Sequence, residues 1–178
     1  MTDQTTPAAG RVAILIEEEF EDRELPLLVE LLRAEGLHVT LVGPVADAEY
    51  TGKRHEATLR SELAAGKARI KDFDTVIVPG GYAPDRIRLR HAMVDLVRDC
   101  YESGKPTVSI DRGAAVLITI NALKGRTVTC WPSIAIDVKN AGARYVDRPV
   151  VEDGNVITVR KWVDVVALTD VLVTLLKK

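Results

Sequence analysis

Short apolar runs alternate along the chain with longer stretches in which apolar residues recur every three or four positions. The short runs predict buried strands at residues 11–16, 38–42, 75–78, 107–110, 127–130 and 156–159. The longer stretches have the period of an amphipathic helix and cover residues 22–35, 87–102, 113–122 and 164–176. Strands that alternate with helices of about 10–15 residues indicate a mostly parallel sheet with helices on both faces. The pattern therefore predicts an α/β, flavodoxin-like fold.

The ends and the middle of the chain follow this pattern less closely. Residues 1–10 are polar and are expected to form a disordered tail, which leaves residues 11–178 as a single domain. The polar stretch 46–71 is expected to contain a short hairpin around Thr51, Gly52 and Lys53. In open parallel sheets, ligands bind beyond the carboxyl ends of the strands. The loops at 17–22, 79–85 and 111–113 are therefore the candidate site.

Composition narrows the classes of function. A chain of 178 residues with 47% hydrophobic residues can bury one sizeable core. The formal charge of −2 comes without a long run of either sign, so a nucleic acid is not an expected partner. No apolar stretch reaches the roughly 20 residues of a membrane span, and residues 1–10 lack the features of a secretion signal. The sequence therefore predicts a cytoplasmic protein that does not bind membranes.

The two cysteines, Cys100 and Cys130, lie on different predicted elements, and neither belongs to a CxxC or histidine-rich pattern. We therefore expect neither a disulfide framework nor a zinc site, and we expect no metal and no cofactor. Cys100 falls late in a predicted helix and is expected in the core. Cys130 precedes Trp131, and neighbours on a strand point to opposite faces. If Trp131 faces the pocket, Cys130 does not.

The strand at 107–110 runs into a helix through Asp111, Arg112 and Gly113. A sharp turn from a strand into a helix presents one side chain beneath the free N–H groups of the helix start, where a nucleophile often lies. Here that side chain is a carboxylate, that of Asp111. The alternative interpretation of Asp111 is a helix N-cap.

Two further loops carry candidate chemistry. Gly80 and Gly81 follow a buried strand, so their backbone N–H groups are able to turn into the crevice and hold an anion. The simpler interpretation is a tight turn between the strand and the next helix. The acidic cluster at 17–22 precedes a helix, where most of its carboxylates are expected to cap the helix or face solvent. Only one or two of these carboxylates are expected to face the crevice.

Together with their flanking residues, these loops resemble the PfpI-type intracellular protease/amidase family of the ThiJ/PfpI superfamily. The matching segments are residues 20–25, 78–81, 83–86 and 104–106, and in the second half 123–126, 140–143, 150–155 and 157–160. The resemblance implies a three-layer sandwich of the class I glutamine amidotransferase type. It also implies a homodimer that often assembles into a hexamer, with a site shared between subunits.

The resemblance also assigns roles around the corner. The family usually has isoleucine, cysteine, histidine and glycine there, with the cysteine as nucleophile and the histidine as its base. In this chain Asp111 and Arg112 stand at the cysteine and histidine positions. Glu21 matches the acid that hydrogen-bonds the nucleophile. Asp85 matches the acid that orients the histidine from a neighbouring subunit, and Arg112 is expected either to pair with Asp85 across that boundary or to be exposed without a partner.

Other positions match the family's pocket. The N–H groups of Gly81 and Arg112 match its oxyanion hole, with Gly80 beside them, and Trp131 matches an aromatic residue near the pocket. Trp162 stands near the last helix, where relatives usually carry a proline, and is expected to reshape the pocket mouth.

These observations predict a PfpI-like protein that has lost the cysteine-dependent hydrolase site, because a carboxylate cannot supply the thiolate that this chemistry needs. A divergent, non-catalytic member with a stress-related or small-molecule-binding role is the leading hypothesis. The alternative is an active enzyme of hydrolase, glyoxalase or lyase type. In it, Asp111 and Glu21 share a proton as an acid/base pair, or Asp111 is the nucleophile, acting on a small carbonyl or amide substrate.

Overall fold

The computed structural model describes residues 9–177, so most of the expected tail, residues 1–8, lies outside the described residues. The strands are β1 Arg11–Leu15, β2 His38–Gly43, β3 Glu49–Thr51, β4 Thr58–Arg60, β5 Leu63–Ala64, β6 Thr75–Val78, β7 Thr107–Ile110, β8 Thr127–Val128, β9 Arg144–Tyr145, β10 Val150–Asp153 and β11 Val156–Val159. The helices are α1 Leu25–Ala34, α2 Ala83–Ile87, α3 His91–Glu102, α4 Ala114–Thr119, α5 Ala135–Asn140 and α6 Val165–Leu176.

Seven strands form the central sheet in the order β10-β11-β7-β6-β1-β2-β5, and all neighbouring pairs are parallel except β10 with β11. Strands β6, β7 and β11 are buried along their whole length, as both faces of a parallel sheet require. The predicted flavodoxin-like α/β fold is confirmed. Because β1, β6 and β7 are neighbours, the loops that follow them meet at one edge of the sheet.

Several element boundaries differ from the prediction. The helix predicted from residue 22 begins at Leu25, because the Asp22 carboxylate accepts N–H groups from a distant hairpin. The helix predicted over 87–102 begins four residues later, at His91, because Ile87 ends α2 and a turn follows in which Arg90 Nε donates to Glu17 Oε2 at 2.9 Å. The strand predicted over 127–130 ends at Val128. The helix predicted over 113–122 ends at Thr119.

The hairpin predicted around residues 51–53 is present as β3 and β4, although its turn extends from Gly52 to Ala57. The short elements β5, β9, β10 and α5 were not predicted, because runs of two to six residues carry little periodicity. Within residues 9–177, no helix is both long enough and apolar enough to cross a membrane.

Candidate functional site

The corner after β7 is a strained turn that presents the side chain of Asp111. Asp111 has a φ of 59°, in the left-handed region that aspartate tolerates better than most residues, and is 7% exposed. Gly113 lets the corner pack closely, because a Cβ there would lie 2.8 Å from the Val78 carbonyl oxygen and 2.9 Å from that of Pro79. The turn after β7 is therefore held directly against the turn after β6.

A backbone N–H group holds the Asp111 carboxylate. The Gly81 N–H donates to Asp111 Oδ2 at 3.0 Å. Burial raises the pKa of Asp111, while the neighbouring backbone N–H groups of Gly81 and Arg112 act to lower it. The Gly81 N–H, which the resemblance assigned to an oxyanion hole, is therefore engaged by a carboxylate of the chain itself.

A side chain at position 81 would clash with the backbone of the loop that follows β1. Its φ is 73°, and an added Cβ would lie 2.5 Å from the Glu21 backbone nitrogen and 2.6 Å from the Glu19 carbonyl oxygen. Gly80 and Gly81 therefore form a tight turn, and their N–H groups also bind the carboxyl groups of Glu24 and Asp111.

The acid nearest to Asp111 is Glu24, which sequence reasoning missed. Glu24 is fully buried; its Oε1 accepts the Gly80 N–H at 2.7 Å, and its Oε2 has no hydrogen-bond partner within residues 9–177. A Cβ added to Gly80 would lie 2.6 Å from Glu24 Oε2 and 2.7 Å from Asp111 Oδ2, so the two carboxyl groups flank Gly80. Burial raises the pKa of Glu24 well above its usual value, and the charge of Asp111 adds to this rise.

Glu21 faces cations instead. Its Oε2 accepts from Lys53 Nζ at 2.7 Å and its Oε1 from Arg23 Nε at 3.2 Å. Burial tends to raise the pKa of Glu21, but the contacts with Lys53 and Arg23 outweigh it and the pKa is lowered. Among the described residues Glu21 makes no hydrogen bond to Asp111. The expected Asp111–Glu21 pair sharing a proton is therefore corrected: Glu24 lies beside Asp111, and Glu21 is an ionised partner of two cations.

Lys53, also missed, reaches the site from the β3–β4 hairpin. The Asp22 carboxylate pins this hairpin by accepting the N–H groups of Arg54, Glu56 and Ala57 at 2.8, 2.9 and 3.0 Å. These donors outweigh burial and lower the pKa of Asp22. A side chain at Gly52 would overlap the same carboxylate. Part of the acidic cluster expected to cap a helix therefore anchors the hairpin that carries Lys53.

Aromatic rings line the mouth of the site. The Arg23 guanidinium carbon lies 4.6 Å from the Trp162 ring centroid, and the role expected for Trp162 at the pocket mouth stays a prediction. Lys53 Nζ and Arg112 Cζ lie 5.2 and 5.3 Å from the ring of Tyr82. Trp131 is partly buried, and its backbone N–H donates to the Asp111 carbonyl oxygen at 3.2 Å.

A surface depression of about 530 Å³ adjoins the corner, and Asp85 and Arg112 both line it. Within residues 9–177 the two side chains form no ion pair with each other, and Asp85 is exposed. Two large apolar side chains are also strongly exposed: Leu89, in the turn between α2 and α3, is 81% exposed, and Ile136 on α5 is 59% exposed. The pairing of Arg112 with Asp85 across a subunit boundary stays a prediction.

Neither cysteine is placed for catalysis. Burial raises the pKa of the Cys130 thiol to about 12, and the charges of Asp111 and Asp137 add to the rise. Cys130 therefore stays protonated and is a poor nucleophile. Cys100 is buried under α3 with its Sγ 3.4 Å from the Pro106 carbonyl oxygen, which confirms its place in the core. In the described part of the chain, no group of three or more His, Cys, Asp or Glu side chains is arranged to hold a metal ion.

Comparison with known proteins gives a consistent result. The model of the DJ-1/PfpI family matches residues 10–175. A deglycase of Pyrococcus abyssi is 39% identical over 167 residues, which cover 94% of this chain and 99% of the relative. An Escherichia coli protein named protein/nucleic acid deglycase 2 is 36% identical over 143 residues, covering 80% and 83% of the two chains.

Solved structures show the same fold. A two-domain protein of Anabaena variabilis, with DJ-1/ThiJ/PfpI-like and ferritin-like domains, superposes with a TM-score of 0.90 at 35% identity. The match covers 94% of this chain and 48% of that protein, so the chain spans about half of its length. DJ-1β of Drosophila melanogaster superposes with a TM-score of 0.87 at 23% identity, over 95% of this chain and 91% of the other.

Proposed function

Since this chain belongs to the DJ-1/PfpI family, we propose that it is a member without thiol chemistry, which binds a small molecule at a site where a fixed carboxylate replaces the nucleophile. In the family pattern the corner carries a cysteine followed by a histidine, and here it carries Asp111 and Arg112. The observation that carries the proposal is the hydrogen bond from the Gly81 N–H to Asp111 Oδ2 at 3.0 Å. A carboxylate in this position competes with any substrate oxyanion for the same donors.

The chemistry of the replacement supports a loss of turnover. A carboxylate is a weak nucleophile, and release of an acyl intermediate needs a base that activates water. The three histidines, His38, His55 and His91, are exposed and make no hydrogen bond to Asp111 in the described chain. Cys130 stays protonated, so it cannot replace the missing thiolate.

The same geometry suggests why a carboxylate would be kept. A carboxylate has the charge and approximate shape of a cysteine sulfinate, the product of thiol oxidation. Asp111 would then hold permanently a state that a cysteine at this corner reaches only on oxidation. This supports a stress-related role for the protein, which we place in the cytoplasm.

The test uses the reaction named for the relatives. Purified wild-type protein and the Asp111→Asn variant are assayed for deglycation of a methylglyoxal-modified amine, together with the double variant Asp111→Cys, Arg112→His. We expect no turnover from wild type or from Asp111→Asn, and measurable turnover from the double variant. Turnover by wild type that Asp111→Asn abolishes would overturn the proposal.

A carboxyl acid/base enzyme is the second candidate function. The observation in its favour is the position of Glu24, fully buried beside Asp111 with a pKa raised above the usual value. A protonated and an ionised carboxyl group at one site are the components of general acid/base catalysis on a carbonyl compound. This candidate requires that Glu24→Gln abolish any turnover of small carbonyl compounds.

We also propose that the protein forms a homodimer. Further assembly into a hexamer is implied by the family resemblance alone. The face around Asp85 carries the most exposed large apolar side chain of the described chain, Leu89, together with Ile136. Large exposed apolar side chains suit a self-complementary two-fold contact. Leu89→Asp should shift the protein from dimer to monomer in analytical ultracentrifugation; a wild type that sediments as a monomer would refute the contact.

A further inference from the structure

Six side chains from five separate turns form an unbroken row of contacts beside the site, which we call the collar. Its members, in order, are Trp162, Arg23, Glu21, Lys53, Tyr82 and Arg112. We propose that the collar recognises small molecules that carry an oxyanion, a carboxylate or a phosphate, and that Lys53 and Arg112 take this group beside the ring of Tyr82. The inference rests on the proposed binding role and specifies its ligand class.

The row of contacts is unbroken although its members are far apart in sequence. Trp162 precedes α6 and contacts Arg23, at 4.6 Å from ring centroid to guanidinium carbon. Arg23 and Lys53 both bond Glu21, at 3.2 and 2.7 Å. Lys53 Nζ and Arg112 Cζ both lie near Tyr82, which follows β6, at 5.2 and 5.3 Å from the centroid of its ring.

The charges of the collar are unequal. It contains three cations and one carboxylate, and Glu21 is already engaged by Arg23 and Lys53. The Arg112 side chain has no carboxylate within ion-pair distance among residues 9–177, and the nearby Asp111 carboxylate is held by the Gly81 N–H instead. A partly buried guanidinium without an anion is unfavourable, and its planar fork matches a carboxylate or phosphate. Arg112 is therefore the anchor that an incoming anion would occupy.

The surroundings also limit the size and charge of the ligand. Tyr82 is 46% exposed, so a group between Lys53 and Arg112 is reachable from solvent. Below the collar the space is closed, because Asp111 is 7% exposed and already fills the cradle of Gly81. A second negative charge that points inward would meet the Asp111 carboxylate. A small monoanion should therefore bind better than a dicarboxylate.

The experiment measures binding directly. The full-length wild-type protein is titrated with lactate, succinate and inorganic phosphate by calorimetry, and the fluorescence of its two tryptophans, Trp131 and Trp162, is followed in parallel. We expect saturable binding whose affinity falls as ionic strength rises, and lactate should bind more tightly than succinate. Comparing the affinity for inorganic phosphate with that for lactate shows whether the site takes a phosphate or a carboxylate group. Arg112→Met should weaken binding about tenfold or more, the usual loss for a charge-assisted contact.

Arg88→Met is the matched control, because Arg88 lines the same depression as Arg112 but lies outside the collar. It should leave the affinity within about twofold of wild type, less than the loss of one hydrogen bond. If Arg112→Met does not fold, Lys53→Met replaces it, with the same expected direction.

Three results would overturn the inference: no saturable binding to wild type, equal losses in Arg88→Met and Arg112→Met, or binding that emerges only in Asp85→Asn. The last result would assign the Arg112 guanidinium to Asp85 of a second copy. Failure here is separable from failure of the proposed function. Deglycase turnover by wild type would overturn the proposed function. A lack of anion binding would overturn only the inference about the collar, because it says nothing about thiol chemistry.

Discussion

Replacing Glu24 by glutamine should reveal whether this buried acid holds a proton in the folded protein. The substitution keeps the size of the side chain and a carbonyl oxygen that accepts the Gly80 N–H, which is bound at 2.7 Å in wild type. The new amide N–H₂ takes the position of Oε2, which has no partner and lies on the Asp111 side of Gly80. The amide N–H₂ of glutamine is a hydrogen-bond donor, whereas Oε2 of Glu24 can donate toward the Asp111 carboxylate only when it carries a proton.

The expected magnitude depends on pH, and its sign follows from proton linkage. The folded state raises the pKa of Glu24, so between the ordinary pKa of about 4.3 and the raised value the folded protein binds more protons than the unfolded chain. Wild-type stability should therefore fall through this window as pH rises, by up to about 1.4 kcal/mol per pH unit. Glutamine does not titrate, so Glu24→Gln should match wild type near pH 4 and exceed it by up to about 2 kcal/mol at about pH 6.

Urea unfolding at intervals between pH 4 and pH 8 measures this difference. Glu21→Gln is the matched control, because the folded state lowers the pKa of Glu21 through Lys53 and Arg23. Its contribution is present above the ordinary pKa and is lost as pH falls through the lowered one, so this control should destabilise the protein at neutral pH. A gap between Glu24→Gln and wild type that does not change with pH would refute a protonated Glu24.

Three other predictions follow from the site. Asp22→Asn should destabilise the protein by about 1–3 kcal/mol at pH 7 and speed hydrogen exchange at the hairpin N–H groups that Asp22 accepts; because the pKa of Asp22 is lowered, this loss should shrink below pH 4. Gly81→Ala should cost more than about 1 kcal/mol in unfolding experiments, whereas Gly66→Ala, with nothing within 4 Å of its added Cβ, should cost less. Cys130 should resist iodoacetamide at pH 8 in the native protein and react only after unfolding; equal rates in both states would contradict its burial.

The sequence by itself determined the main strands and the location of the candidate site. Strands β1, β6, β7 and β11 consist mostly of apolar and β-branched residues without a polar face, because strands of a parallel sheet are buried on both sides. The corner at Asp111 could also be predicted from the sequence, because a strand, a glycine turn and a helix follow one another within about ten residues. Hydrophobic periodicity is a property of neighbours in the chain, and these features need nothing more.

Only the tertiary structure decided which charges meet. Whether Glu21 or Glu24 faces Asp111 depends on where α1 begins, and it begins three residues later than the pattern predicted. Glu24 and Gly80 are 56 residues apart, and Asp22 and Arg54 are 32 apart. The raised pKa of Glu24 and the position of Lys53 beside Glu21 both depend on such distant partners. A buried carboxyl group takes its charge state from the donors and charges packed around it, and those are brought together only by the complete fold.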